Sequence, residues 1–333
     1  MTESSSVTIT VDGRPTHVSG TLSEGTVIVP LRRLFEPLGF RVDWFPAQGR
    51  AVVSDGRHTL TLYMSGTKAW AGDHEITIYP APRIEGGKIL VPLTFVAENL
   101  GFSVHLDAAA NTANLLRIME NPIIIHTKRI RQETRNLSMD IQYPQVSGLG
   151  LAMDTAINAP LADWAERLRA EGIRSAAEAV TIPPNYQATV VGNYKTAYNE
   201  HGILSVVLEA YTFAGGAHGL TTRTAYTFDL FAGKTWSLKD LFKPGVDYVS
   251  ILSRDVKKQM DERDLTSHLL NPFEAIAPNQ DYYLQDDAIV IYFGLYEYFP
   301  YVFGIQEFPV LLASLRDVLV PRLAAIPGKD AGA

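Results

Sequence analysis

Two short stretches of the chain share one pattern of apolar and polar positions. In "TVIVPLRRLFEPLGFRVDW" (residues 26–44) a β-branched run stops at a proline, and apolar residues then recur at Leu31, Leu34, Phe35 and Leu38. That i, i+3, i+4, i+7 spacing places one apolar stripe on a helix. Pro30 fits the first turn, where no N–H is needed, and Gly39 fits the left-handed residue that ends a helix. "KILVPLTFVAENLGFSVHL" (residues 88–106) repeats this with Leu93, Val96, Ala97, Leu100 and Gly101. Val29, Pro30, Leu31, Glu36, Leu38, Gly39, Phe40 and Val42 return as Val91, Pro92, Leu93, Glu98, Leu100, Gly101, Phe102 and Val104. Self-similarity of this kind marks a repeated structural unit. Strand-like stretches surround each copy: "RVDWF", "RAVVSDG", "HTLTLYM" and "HEITIYP". The pattern predicts a domain over residues 7–118 in which each copy is a short helix on a small sheet.

From Asn121 the period changes. Ile123–Thr127 and Leu137–Tyr143 read as strands, and Ile157, Leu161, Trp164, Ala165 and Leu168 recur at helical spacing, with Pro160 expected to kink that helix or start its second half. Three long alternating strands follow, punctuated by "NEHG" and "GGAHG". "SLKD" (Ser237 to Asp240) has capping-box spacing, and Val249, Leu252, Val256 and Met260 share a helical face. "DYYLQDDAIVIYFG" reads as a hairpin, and a closing helix is expected near Ser314 to Val320. The second domain, residues 121–323, is therefore an antiparallel sheet with helices on one face, and the chain as a whole is α+β.

Composition narrows the function. The 333 residues suit two domains, and 46% hydrophobic with 20% charged residues is an ordinary globular balance. A net charge of −7 argues against nucleic acid and would suit a basic partner. Without cysteine there are no disulfides, thiolate metal sites or cysteine nucleophiles. No stretch reaches the roughly 18 apolar residues a membrane span needs, and "MTESSSVTIT" lacks the features of a secretory leader.

His218, inside "GGAHG", is the candidate that draws most notice. The nearest other histidine, His201, should lie at the far end of a strand roughly 30 Å long, so the two cannot share an ion. The glycines lack the Lys-Ser/Thr of a phosphate loop and read as a wide turn or bulge with positive φ. In "YFGLYEYFPYVFG" the aromatics either fill the core or line a binding surface, with Tyr296, Tyr298 and Tyr301 as candidate contacts and Tyr298 and Tyr301 expected to be exposed. Glu297 and Glu307 carry no spacing that demands acid–base chemistry. His17, His58, His74 and His105 are dispersed without metal-ligand spacing. No catalytic residue, metal site or cofactor emerges.

The "VPLR…LGF.V.W" pattern and its second copy resemble the copper amine oxidase N-terminal-like domain, a module of surface and secreted proteins of Gram-positive bacteria. The resemblance implies a cell-envelope binding or spacing module, with neither copper nor oxidation. "YPQVSGL" (Tyr143 to Leu149), "GGAHG", "SLKDLF" (Ser237 to Phe242) and "YEYFPYVFGIQEFPV" (Tyr296 to Val310) resemble a pair of domains of unknown function. That pair is found outside the membrane in the lysozyme-sensing anti-sigma factor RsiV and ahead of the catalytic domain of the peptidoglycan deacetylase PdaC. No sigma-binding segment or deacetylase signature accompanies them here. The resemblance implies an extracellular or cell-surface, non-catalytic binding protein whose partner is peptidoglycan or a lysozyme-like basic protein. The alternative is a wall hydrolase using His218 and a nearby carboxylate.

Overall fold

The repeated stretches become two strand–helix pairs that lean on each other. In the computed structural model, which describes residues 5–179 and 187–326, the chain forms two units that meet at Glu120 and Asn121. The first unit runs β1 (Ser6–Val11), β2 (Arg14–Ser23), β3 (Thr26–Pro30), α1 (Leu31–Phe35), β4 (Arg41–Phe45), β5 (Arg50–Ser54), β6 (Thr59–Tyr63), β7 (Lys68–Ala71), β8 (His74–Thr77), β9 (Arg83–Glu85), β10 (Lys88–Pro92), α2 (Leu93–Glu98), β11 (Phe102–Asp107) and β12 (Thr112–Arg117). The copies do not each own a sheet. β3 and β10 pair antiparallel with Val29 opposite Val91, inside one seven-stranded sheet ordered β11-β12-β1-β2-β3-β10-β9. β4 to β8 form a second, five-stranded sheet. Pairing copy with copy lets both helices bury their stripes in a single core.

The helix boundaries follow from local chemistry. Pro30 and Pro92 are the extended residues just before each helix (φ −74° and −66°), one position earlier than the first turn. Gly39 and Gly101 stand at φ 97° and 80° beyond the helices. Phe40 then folds back on the end of α1, its N–H donating to Phe35 O at 3.1 Å and its ring meeting Phe35 edge-on at 5.9 Å. Leu31, Leu34, Phe35, Leu93, Val96, Ala97 and Leu100 are all buried. Each such large apolar side chain contributes about 1.5–3 kcal/mol by leaving water.

The second unit is built on a six-stranded sheet: β13 (Ile124–Glu133), β14 (Leu137–Ser147), β15 (Ala188–Glu200), β16 (Ile203–Phe213), β17 (Leu220–Asp229) and β18 (Lys234–Trp236). Between β14 and β15 lies α3 (Leu151–Ala179), which carries Pro160 in its interior and continues well past Leu168 as one element. β14 and β15 are parallel, the one parallel pair in this sheet. A parallel pair cannot be closed by a hairpin, and the long helix is its crossover. Close helix–sheet approach depends on small residues: a Cβ on Gly172 would meet Met139 and Val190 at 2.7 Å, and one on Gly192 would meet Leu168 and Trp164 of α3 at 3.0 and 3.1 Å.

Alternation along β16 separates two layers. Leu204, Val206, Leu208 and Ala210 join the core beneath α3, whereas Ile203, Ser205, Val207 and Glu209 point the other way. That opposite face carries a three-stranded antiparallel sheet, β19 (Tyr282–Gln285), β20 (Ala288–Phe293) and β21 (Gln306–Leu311). Ser205 Oγ accepts from Leu284 N at 3.1 Å and ties the two sheets together. α4 (Tyr248–Glu262) buries Leu252, Val256 and Met260 in the same core. The closing segment is two single-turn helices, α5 (Leu312–Leu315) and α6 (Pro321–Ala324), where one helix near Ser314 to Val320 was expected. The residues between are held instead by Leu319, which bridges to Phe242.

Candidate functional site

The β16–β17 hairpin places the candidate histidine. The strands stay in register up to Thr212 opposite Leu220, and residues 214–219 form a wide loop with Gly215 and Gly216 at φ 96° and 103°. His218 is exposed on this loop and stacks on Tyr301, ring centroids 4.1 Å apart at 26°. Its Nδ1 lies 2.9 Å from Gly219 O, and Tyr301 Oη donates to the same carbonyl at 3.0 Å. Tyr296 Oη reaches to 3.5 Å from Nε2, and the Tyr296 ring tilts against Tyr301 at 5.8 Å. Neither imidazole nitrogen meets a carboxylate. His201 closes the opposite end of β16, in a two-residue hairpin with Gly202 at φ 56° and 73°.

Tyr296 is 49% exposed and holds a positive φ of 65°. A left-handed tyrosine costs about 1 kcal/mol or more and persists only where neighbours impose it. Here Glu297 does so: its carboxylate accepts from Gly294 N at 2.8 Å and closes the turn around Tyr296. Tyr298 lies apart from this group. Its half-buried ring meets Phe293 and Phe273 edge-to-face at 4.9 and 5.4 Å, and burial together with the nearby Glu297 raises its hydroxyl pKa. Tyr296, rather than Tyr298 or Tyr301, is the most exposed of the three. Glu307 and Glu297 do not converge, since Glu307 pairs with Arg223.

Two features on the same face escaped the sequence reading. Tyr211 on β16 is 39% exposed and lies where a Cβ on Gly219 would stand, 2.4 Å from its ring. Arg223 on β17 sits opposite Glu209 and is only 13% exposed, while Glu209 and Glu307, both bonded to it, are 45% and 42% exposed. Burial opposes the charge on Arg223, and the hydrogen bonds it donates to both carboxylates outweigh it, so its pKa is raised. Glu209 and Arg223 lie symmetrically about Gly216, so the hairpin centre alone would have paired them. In the first unit, His58 is drawn between Asp55 and Glu120. Among the described residues no three His, Asp or Glu side chains converge as a metal-binding group, and no helix is long and apolar enough to cross a membrane.

Comparison with known proteins finds three matches along the chain. Residues 10–115 match the copper amine oxidase N-terminal domain. Residues 130–221 match the deacetylase PdaC model, and residues 239–312 match a family described as a protein of unknown function, DUF3298. His218 falls within the first of these two matches, and Tyr296 and Tyr301 within the second, so the aromatic site forms where both meet. The anti-sigma-V factor RsiV of Bacillus subtilis strain 168 is 26% identical over 203 residues, 57% of this chain and 68% of that one. The peptidoglycan-N-acetylmuramic acid deacetylase PdaC of the same strain is 26% identical over 135 residues, and the match spans 28% of its length. A DUF3298-family structure from Bacteroides fragilis NCTC 9343 gives a TM-score of 0.47 at 16% identity, covering 61% of this chain and 96% of its own. One from Pseudomonas aeruginosa PAO1 gives the same score and identity, covering 63% and 99%.

Proposed function

We propose that this chain is a non-catalytic binding protein of the cell envelope, extracellular or on the cell surface. Its first domain, residues 7–118, attaches or spaces, and its second, residues 121–323, recognises a wall-associated basic protein such as lysozyme or a peptidoglycan glycan. The observation that carries this reading is the group of His218, Tyr296 and Tyr301, with Tyr296 held outward in a strained turn. Tyrosine offers a rigid ring and a polar tip, the chemistry that dominates binding hot spots. The net charge of −7 favours a basic partner, and the relatives by name include a protein that acts on peptidoglycan. A hydrolase built on His218 lacks support, because the ring nitrogens face a carbonyl and a tyrosine hydroxyl.

Titration calorimetry against lysozyme and against peptidoglycan fragments tests the reading. Binding to one of them that weakens about tenfold in Tyr296→Ala supports it. No heat with either removes both partners, and turnover of labelled peptidoglycan that vanishes in His218→Ala replaces it with the hydrolase.

A further inference from the structure

A cleft of about 440 Å³ opens between the six-stranded and three-stranded sheets. That volume falls within the roughly 300–1,000 Å³ of small-ligand sites. Asn193, Lys195, Glu209, Arg223, Gln285 and Glu307 supply its polar lining, and Tyr283 part of its apolar lining. Arg223 donates from Nε and Nη2 to Glu209 Oε1 at 2.9 and 2.5 Å, and from Nη1 to Glu307 Oε1. Its guanidinium also lies over the Tyr292 ring at 5.4 Å. The two carboxylates are thereby fixed in place; Glu307 also accepts from the Tyr283 hydroxyl, and Glu209 keeps its second oxygen for another donor.

Three groups in the cleft are left over. Among the described residues, Glu209 Oε2, the Lys195 ammonium and the half-buried Gln285 amide have no hydrogen-bond or ion-pair partner. The Gln285 amide is half-buried and open to the cleft, so a ligand can take the place of solvent as its partner. The formal charges cancel, two carboxylates against Arg223 and Lys195, so the cleft is not built for an anion or a cation. What remains is a neutral wall with fixed acceptors, free donors and a small aromatic surface.

From this we infer that the cleft binds an uncharged saccharide, its hydroxyls donating to Glu209 and Glu307 and accepting from Lys195 and Gln285. A hydroxyl both donates and accepts, so a sugar ring can meet both kinds of wall group, which a purely apolar or ionic ligand cannot. The bridging guanidinium fills the gap between the carboxylates, where a hydrolytic water would have to sit, so the chemistry is binding and not cleavage. The inference rests on the binding reading only in that a glycan is among the proposed partners; the residues are a separate set.

The probe is the N-acetylglucosamine trimer, titrated into the full chain by isotope-edited NMR. Saturable shifts that weaken at least tenfold in both Glu209→Gln and Gln285→Ala, and stay unchanged in Tyr296→Ala, are the expected result. Glu209→Gln keeps the shape but weakens the ion pair to Arg223, whereas among the described residues the Gln285 side chain bonds nothing, so Gln285→Ala at unaltered melting keeps the comparison clean. No saturable binding, or binding indifferent to both cleft variants, overturns the inference. If trimer binding follows the cleft while neither lysozyme nor peptidoglycan fragments give heat, the aromatic-site reading fails and the cleft stands alone.

Discussion

His58 in the first unit lies between two carboxylates, and His218 in the second lies among tyrosines. His58 places Nδ1 3.2 Å from Asp55 and Nε2 3.1 Å from Glu120, with its side chain 19% exposed. His218 places its ring on Tyr301 and stays open to solvent. Each has a glycine beside it, but for different reasons. Gly101 stands at φ 80°, and a Cβ there would press on His58 Cε1 at 2.9 Å. Gly219 has ordinary backbone, and its missing Cβ makes room for the Tyr211 ring. One imidazole is a clamp within the fold, and the other is open to solvent.

The widest separation between the two sites is expected from the glycines. Gly101→Ala forces a side chain into a left-handed position and into the clamped ring, and should destabilise the first unit by about 2–3 kcal/mol. Gly219→Ala first meets the outer end of the exposed Tyr211 ring, so stability should move by less than about 0.5 kcal/mol. Urea unfolding of both variants measures this. Equal losses would mean that the second glycine is also structural.

His58→Gln should come next, at about 1–3 kcal/mol for the loss of charge-assisted hydrogen bonds in a half-buried cluster. The hydrogen bond that His58 donates to Glu120 raises the His58 pKa above its ordinary value; burial works against this, and attraction to Glu120 and the contact with Asp55 add to it. A raised folded-state pKa means the stabilisation is complete below about 6.5 and is lost as pH rises through the raised value. Unfolding of the intact chain from pH 5 to pH 9 should show that loss, and His58→Gln should abolish it.

Much of the contrast was invisible in sequence because it depends on pairing across distance. The helices around Leu31 and Leu93 were legible, since proline, stripe and glycine act within a dozen residues. The hairpin at His201 and Gly202 was legible for the same reason. The pairing of β3 with β10 was not, because nothing local says that Val29 must face Val91 and not a strand of its own copy. The parallel register of β14 and β15 was hidden behind α3, whose length past Leu168 has no strong stop signal. His58 showed no metal-like spacing because its partners stand at Asp55 and Glu120, one near and one far. Of the aromatics, period alone could not tell that Tyr298 turns toward Phe293 while Tyr296 turns out.

Strain offers a sharper probe of the second site. Tyr296→Gly removes the ring and relieves its left-handed backbone at once. Stability should rise by about 0.5–1 kcal/mol, while affinity for lysozyme or a peptidoglycan fragment should fall about tenfold. A variant that is more stable and binds worse shows that the strain serves recognition. One that binds equally well shows that Tyr296 is only a surface residue.

Tyr298→Phe should produce the smallest effect. The ring, not the hydroxyl, makes the edge-to-face contacts with Phe273 and Phe293, and phenylalanine preserves both. Burial already raises the hydroxyl pKa, so no charge is lost at working pH. Stability should shift by less than about 0.5 kcal/mol and partner affinity not at all. Calorimetry on this variant beside Tyr296→Gly therefore asks whether two tyrosines two positions apart differ in kind. A clear loss of affinity in Tyr298→Phe would extend the recognition surface into the aromatic core beneath it.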